Sequence, residues 1–306
     1  MKKSIIAKIA ERLAISQPYI IESGFDSSKG CVIGYLFSNK LSTPKFIAKM
    51  ARLVNTSHLM TEYNNIKFII SKINDNDLSM NVPDIIDYTI INQHEVLVLK
   101  YIEGSILSDV SFNLTRNTLI NIVYSLGHWL VDLSKVTCQP MSESFFNKLI
   151  TIPMKNFIEC SSHDEILIVK VKKSLEILEE NHSNLFTVCS HRDFRGENII
   201  INPVKKVYII DWESMEMRGL PAVDFVHLLI SLGLIENKFI LQTLNRFASE
   251  IGLSKKVIAS LYIAFIVGIL QENLVQIKNT AHFKQSHLMN ILYKMRLDYD
   301  FRFSFS

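Results

Sequence analysis

With 306 residues, 48% of them hydrophobic and 21% charged, the chain is long enough for one large domain or two lobes with a packed core. Its formal charge of +3 and pI near 8.5 are mild, and no block of more than two adjacent Lys or Arg supplies a footprint for nucleic acid. Cys31, Cys138, Cys160 and Cys189 lie far apart without CxxC spacing, which disfavours a zinc site and fits reduced, buried thiols in a cytoplasmic protein.

The opening "MKKSIIAKIAERLA" starts like a signal peptide, but Lys8, Glu11 and Arg12 break the apolar run that export needs. Ile5, Ile6, Ile9 and Leu13 instead fit one face of a short helix. From about Tyr19 to Ile102, "YIIES", "CVIGYLFS", "KFIAKMA" and "HEVLVLKYI" read as strands, with turn signals at Gly24, Gly30 and "NKLSTP". One helical pattern interrupts them, with Leu59, Met60, Tyr63, Ile66, Ile69, Ile70 and Ile73 on one face and Thr56 or Ser57 as the N-cap.

After Glu103-Gly104 the pattern turns helical, through "TLINIVYSLGHWLVDLS", "DEILIVKVKKSLEILEE" and most of the chain beyond Pro221. The apolar run "VIASLYIAFIVGIL" from Val257 to Leu270 is shorter than the roughly 18 residues of a membrane span. It reads as a buried core helix, so no membrane span is expected. The expected architecture is α+β and bilobal: residues 1–102 form a small lobe of antiparallel sheet with one main helix, and residues 103–306 a larger helical lobe.

One stretch, "CSHRDFRGENIIINPVKKVYIIDWE" from Cys189 to Glu213, interrupts the helices with two short strands around a four-residue loop, "PVKK". If Asn202 faces Val207, the same register sets Asn198 opposite Asp211. An amide oxygen beside a carboxylate is a hard donor pair suited to Mg²⁺, which takes one or two protein ligands plus phosphate oxygens. Asp193, five residues before Asn198, reaches the same end as a carboxylate base, the combination that phosphoryl transfer to a hydroxyl requires. The competing reading makes Asn198 a hairpin cap, Asp193 an Asx-turn and Asp211 a solvated strand end.

"HRDFRGEN" resembles the catalytic loop of the protein-kinase-like fold and "IIDWE" its metal-binding segment. Within that fold the sequence is most similar to the aminoglycoside phosphotransferase and choline kinase group. The resemblance implies that Asp193 accepts or orients the substrate hydroxyl proton, that Asn198 and Asp211 hold Mg²⁺ on the phosphates of ATP or GTP, and that His191 braces the loop. It further implies a strand lysine reaching the phosphates and a helix carboxylate holding it, for which Lys49 and Glu62 stand in the right order. Lys49 alternates with Ala48 and Met50 and so leaves its strand on the opposite face.

By the same resemblance, "HEVLVLKYIEGSIL" joins the lobes, with Lys100 and Ile102 offering backbone groups to the nucleotide base. In "SGFDSSKG", Ser27 and Ser28 either contact phosphate or sit in a plain hairpin turn, since neither GxGxxG nor a P-loop is present. Asp224 matches a scaffold Asp of the group, or is a polar residue in the first turn of a helix.

The "RGEN" segment also resembles protein kinases, which follow their DFG with a long segment ending in APE. Here Trp212-Glu213 replace Phe-Gly, no APE follows, and a helical pattern starts within about ten residues. The acceptor expected is therefore a small hydroxylated molecule such as a sugar, an amino alcohol or an aminoglycoside-like compound. The basic lean beyond Glu236 favours a neutral or anionic metabolite over a polycation. The alternatives are a catalytically silent nucleotide-binding module and a protein kinase.

Overall fold

The computed structural model describes residues 5–15, 17–19, 31–37, 43–53, 57–76, 82–160, 165–234 and 238–277. In chain order the first elements are α1 (Ile5–Arg12), β1 (Gln17–Tyr19), β2 (Cys31–Phe37), β3 (Phe46–Ala51), α2 (His58–Asn76), β4 (Ile85–Ile91), β5 (His94–Lys100), β6 (Ser105–Ile106) and α3 (Leu107–Val110). Next come α4 (Arg116–Thr137), β7 (Gln139–Pro140), α5 (Glu143–Phe146), α6 (Ile152–Cys160), α7 (Glu165–Glu180), β8 (Phe186–Ser190), β9 (Ile199–Ile201) and β10 (Val207–Ile209). The chain continues through β11 (Glu216–Gly219), α8 (Val223–Ser231), α9 (Lys238–Glu250) and α10 (Lys255–Ile277). Ser27, Ser28, Gly24 and Gly30 lie outside the described residues, as does most of "YIIES".

These elements form two compact units, one from Met1–Asn113 with Gly196–Met215, the other from Leu114–Arg195 with Glu216–Ser306. This differs from the division expected after Ile102. The reason is β-pairing: β6 adds to the β9–β10 hairpin through Ser105↔Ile201 and Ile106↔Ile200, which draws both segments into the first unit. Gly104 permits the approach, since a Cβ there would stand 2.5 Å from the Ile201 carbonyl oxygen.

In the first unit, five strands in the order β1-β2-β3-β5-β4 make an antiparallel sheet. Its alternation sends Leu36, Ala48, Met50, Val96 and Val98 to one face, where Ile6, Ile9 and Ala10 of α1 cover them. The expected N-terminal helix thus exists and closes this core. The sequence reading missed β4, which reaches β5 through a two-residue turn at Asn92 and Gln93, both left-handed with φ of 53° and 70°.

On α2 the buried residues are Leu59, Glu62, Asn65, Ile66 and Ile69. Met60, expected on that face, is exposed, because it stands one position past Leu59 and turns about 100° around the helix axis.

The second unit is helical apart from a three-stranded sheet in the order β11-β8-β7. Helix α10 packs on α6, α7, α8 and α9, and its run Leu261–Val267 is buried on every side, as a core helix must be. Among the described residues no helix is long and apolar enough to cross a membrane.

Candidate active site

The strand pleat that buries Ala48 and Met50 under α1 puts Lys49 on the opposite side of β3. There its Nζ donates to both carboxylate oxygens of Glu62, at 2.7 and 2.9 Å, and to Oδ1 of Asp211 at 2.9 Å. Three residues from separate elements, expected from motif order and, for Lys49, from strand alternation, thus meet within the first unit. For Lys49, burial pulls the ammonium pKa down, but the two carboxylates outweigh it and hold the pKa above its ordinary value. For Glu62, which is fully buried, burial raises the carboxyl above its usual range while Lys49 opposes the shift. Neither charge is tolerable here without the other.

Two further side chains fix the helix that carries Glu62, and sequence reasoning found neither. The first turn of α2 leaves N–H groups without intrahelical partners, and the buried carboxylate of Glu95 on β5 accepts from Leu59 N at 3.0 Å and Met60 N at 3.4 Å. This cap reaches α2 from strand β5; of the local residues expected, Ser57 stands at the N-cap position, its carbonyl accepting from Thr61 N at 2.9 Å. Thr56 is outside the described residues, and Ser57 immediately precedes the helix. Tyr88 donates to the other Glu95 oxygen at 2.9 Å. Burial, reinforced by this carboxylate, pushes the Tyr88 phenol up to about 12 and keeps it a donor. The available signal was an acid in the apolar run "HEVLVLK" with the same parity as Leu97 and Leu99. The second side chain, Asn65, donates from its amide to the carbonyl oxygen of Trp212 at 2.7 Å.

The β9–β10 hairpin corrects the expected register by one residue. Val207 pairs with Ile201 and Ile209 with Ile199, so Asn198 faces Ile210, whose N–H donates to the Asn198 carbonyl at 3.0 Å. The cause lies in the turn. Lys205 takes a left-handed conformation, φ 62°, while Asn202 accepts from Lys205 N through its carbonyl and from Lys206 N through its side chain. The loop is therefore Pro203-Val204-Lys205, three residues rather than four.

Asp211 follows directly after Ile210 in a left-handed conformation, φ 65° and ψ 60°, which Asp tolerates better than most residues. Asn198 is buried and Asp211 is engaged by Lys49. Among the described residues no three His, Cys, Asp or Glu side chains cluster as a metal cage. A carboxylate and an amide oxygen, completed by phosphate oxygens and water, are a donor set that fits Mg²⁺.

In the second unit, Asp193 lies in a loop braced by buried Asp224 in the first turn of α8. Asp224 accepts from Ser190 Oγ at 3.1 Å, His191 N at 2.7 Å and Arg192 N at 2.9 Å. Burial pushes its carboxyl up from its ordinary value, and the nearby His191 and these hydrogen bonds pull the other way. The loop needs the brace, because Arg192 is left-handed, φ 65°. His191 is buried, as a scaffold residue would be, and its Nδ1 accepts from Asp193 N at 3.3 Å. The Asp193 carboxylate is partly exposed and pairs with Arg195 Nε at 2.9 Å. Between loop and helix α8, β11 pairs with β8, a strand that sequence reading missed.

Lys100 ends β5 with its side chain exposed and paired to Asp84 at 3.2 Å. Its N–H donates to Asp84 O, and that of Tyr101 to Lys45 O. Lys100, Tyr101 and Ile102 also border a cavity of about 330 Å³ closed by Val82, Val204 and Tyr208.

At the edge of this site, half-buried Cys31 begins β2. Burial pushes its thiol up to about 11, with Lys49 opposing, which leaves about one thiolate in a thousand at pH 8. At that pH iodoacetamide is expected to modify exposed Cys138 first, Cys31 far more slowly, and buried Cys189 after unfolding. Peptide mass spectrometry over a time course reads the order, and equal rates for Cys31 and Cys138 would contradict it.

The family model described as "Phosphotransferase enzyme family" (APH) matches residues 39–252. Among solved structures, the chain is similar to an APH(2'') enzyme in complex with GDP and kanamycin, with a TM-score of 0.64, 14% identity, and 95% of this chain and 98% of that one covered. It is also similar to a streptomycin–ATP–APH(2'') ternary complex, with a TM-score of 0.53, 13% identity, and 96% and 97% covered. An aminoglycoside phosphotransferase from Alicyclobacillus acidocaldarius aligns with a TM-score of 0.55, 14% identity, and 100% and 95% covered. Among curated proteins none matches the sequence. The matched stretch takes in Lys49, Glu62, Asp193, Asn198 and Asp211, and the chain belongs to the phosphotransferase enzyme family, with a kinase-like fold.

Proposed function

We propose that the protein is a Mg²⁺-dependent kinase that transfers the γ-phosphoryl group of ATP or GTP to a hydroxyl of a small metabolite. The observation that carries this reading is the buried lysine held between a helix carboxylate and Asp211, an arrangement that keeps the ammonium charged beside the carboxylate read as a metal ligand. Similar folds bind GDP and ATP, which supports a nucleotide as the donor.

In this reading Lys49 contacts the phosphates and Glu62 keeps it charged and aimed. Ser27 and Ser28 are assigned to the same phosphates, and the backbone of Lys100 and Ile102 to the base. Lys100 N–H is already used by Asp84, so its carbonyl is the group offered. Asn198 and Asp211 would hold Mg²⁺, which supplies neutralisation of charge developing on the phosphoryl oxygens. Asp193 orients the acceptor hydroxyl and takes its proton as the oxygen bonds to phosphorus, the bond to the bridging oxygen breaks and the nucleoside diphosphate leaves.

The test is release of ADP or GDP by purified protein with panels of sugars, amino alcohols and aminoglycosides, in Mg²⁺ and in EDTA. At least one acceptor class is expected to stimulate release, and EDTA to abolish it. Nucleotide binding with no turnover on any acceptor would point instead to a silent module, and label appearing on protein to a protein kinase.

A further inference from the structure

Asn65 is a buried polar side chain that the reaction, as derived above, does not use. It stands three residues, almost one turn, after Glu62 on α2 and so shares its inward face. Its amide donates at 2.7 Å to the carbonyl of Trp212, the residue directly after Asp211. Trp212 is itself immobilised, with its ring fully buried and its indole N–H donating to Ile209 O at 2.9 Å. Asp211, between these anchors, has the left-handed backbone of φ 65° and ψ 60°, a conformation a non-glycine residue holds when its surroundings enforce it. Its carboxylate end is tied to Lys49 and its backbone, through Trp212, to Asn65.

We propose that Asn65 is a positioning residue for Asp211: it sets the turn that presents the carboxylate for Mg²⁺, and it ties that turn to the same helix that carries Glu62. The proposal rests on the reading of Asp211 as a metal ligand. Partners one shell removed from a ligand commonly govern metal affinity by 10–100-fold. The substitution Asn65→Leu keeps the volume and removes the donor. Asn65→Ser, which shortens the side chain and tolerates water, serves if the leucine variant fails to fold. Asn65→Gln retains the amide and is expected to recover part of the effect.

Calorimetric titration of Mg²⁺ into ADP-saturated protein gives the affinity. The chain has two tryptophans, so in a Trp129→Phe background Trp212 emission reports the turn itself. The expected result is a Mg²⁺ affinity lowered about tenfold or more in Asn65→Leu or Asn65→Ser, with a shifted Trp212 emission before metal is added. Wild-type affinity and emission in both variants, alongside lost Mg²⁺ binding in Asp211→Ala, overturn the role of Asn65. Unchanged Mg²⁺ binding in Asp211→Ala, or none in the wild type, instead overturns the metal-site reading beneath it.

Discussion

Asp193→Ala is expected to lower phosphoryl transfer by about 10²–10⁴-fold while leaving Mg²⁺-dependent nucleotide binding in place, whereas Asp211→Ala removes the binding itself. The separation follows from where each carboxylate sits. Asp211 is built into the Lys49–Glu62 cluster of the first unit, among the groups assigned to phosphate and metal. Asp193 belongs to a loop of the second unit whose shape depends on Asp224. Its partly exposed carboxylate forms an ion pair with Arg195, so truncation deletes a base without dismantling the loop. Calorimetry with ADP and Mg²⁺, beside acceptor-stimulated ADP release, reads both effects. Equal retention of activity in the two variants would sink the site assignment.

Lys49→Met is expected to destabilise the protein by about 3–5 kcal/mol, a large share of the roughly 5–15 kcal/mol available to a folded domain. The loss comes from Glu62, left fully buried without its cation. Adding Glu62→Leu removes the stranded charge, so the double variant is expected to regain most of the stability and none of the turnover. The single variant also carries a pH signature. Burial already raises the Glu62 carboxyl, and without Lys49 the opposing pull is gone. A folded-state pKa above the unfolded one means that the folded protein binds more protons, so Lys49→Met should gain stability as pH falls from 7 toward 5. Urea unfolding midpoints across that range check the sign. A double variant no more stable than the single one would show that the stranded charge is not the cause.

The residues of this cluster were legible from the motif order and, for Lys49, because a strand's period constrains its faces. Parity with Ala48 and Met50 put Lys49 on the other face of its strand, whereas Glu62 was named only by its place in the motif order of the resemblance, and its inward face on α2, between Leu59 and Ile66, came from the structure. Asp193, Asn198 and Asp211 were legible as a motif. Less legible was anything decided by a single backbone conformation. Lys205 is left-handed without being glycine, so nothing in "PVKK" announced the tighter turn that shifts the hairpin by one residue. Strand β4 was hidden because Asn92-Gln93 lacks the glycine that usually marks such a turn. What Glu95 and Asn65 bind was unreadable for another reason, although the parity of Glu95 with Leu97 and Leu99 marked it as an inward-facing acid: the α2 N-terminus and the Trp212 carbonyl are backbone groups distant in sequence, and backbone groups leave no residue-type signature.

The first unit is assembled from two pieces of chain, Met1–Asn113 and Gly196–Met215, separated by the 114–195 segment of the other unit. During synthesis the sheet, α1 and α2 emerge early, but Lys49 and Glu62 wait for Asp211, and β6 waits for the β9–β10 hairpin. Closing so long a loop slows folding. Until Ile201 and then Trp212 have left the ribosome, β6 lacks its partner strand and buried Asn65 the carbonyl it binds. The nascent first unit thus presents an unpaired strand and an unsatisfied amide, the kind of surface through which folding intermediates aggregate.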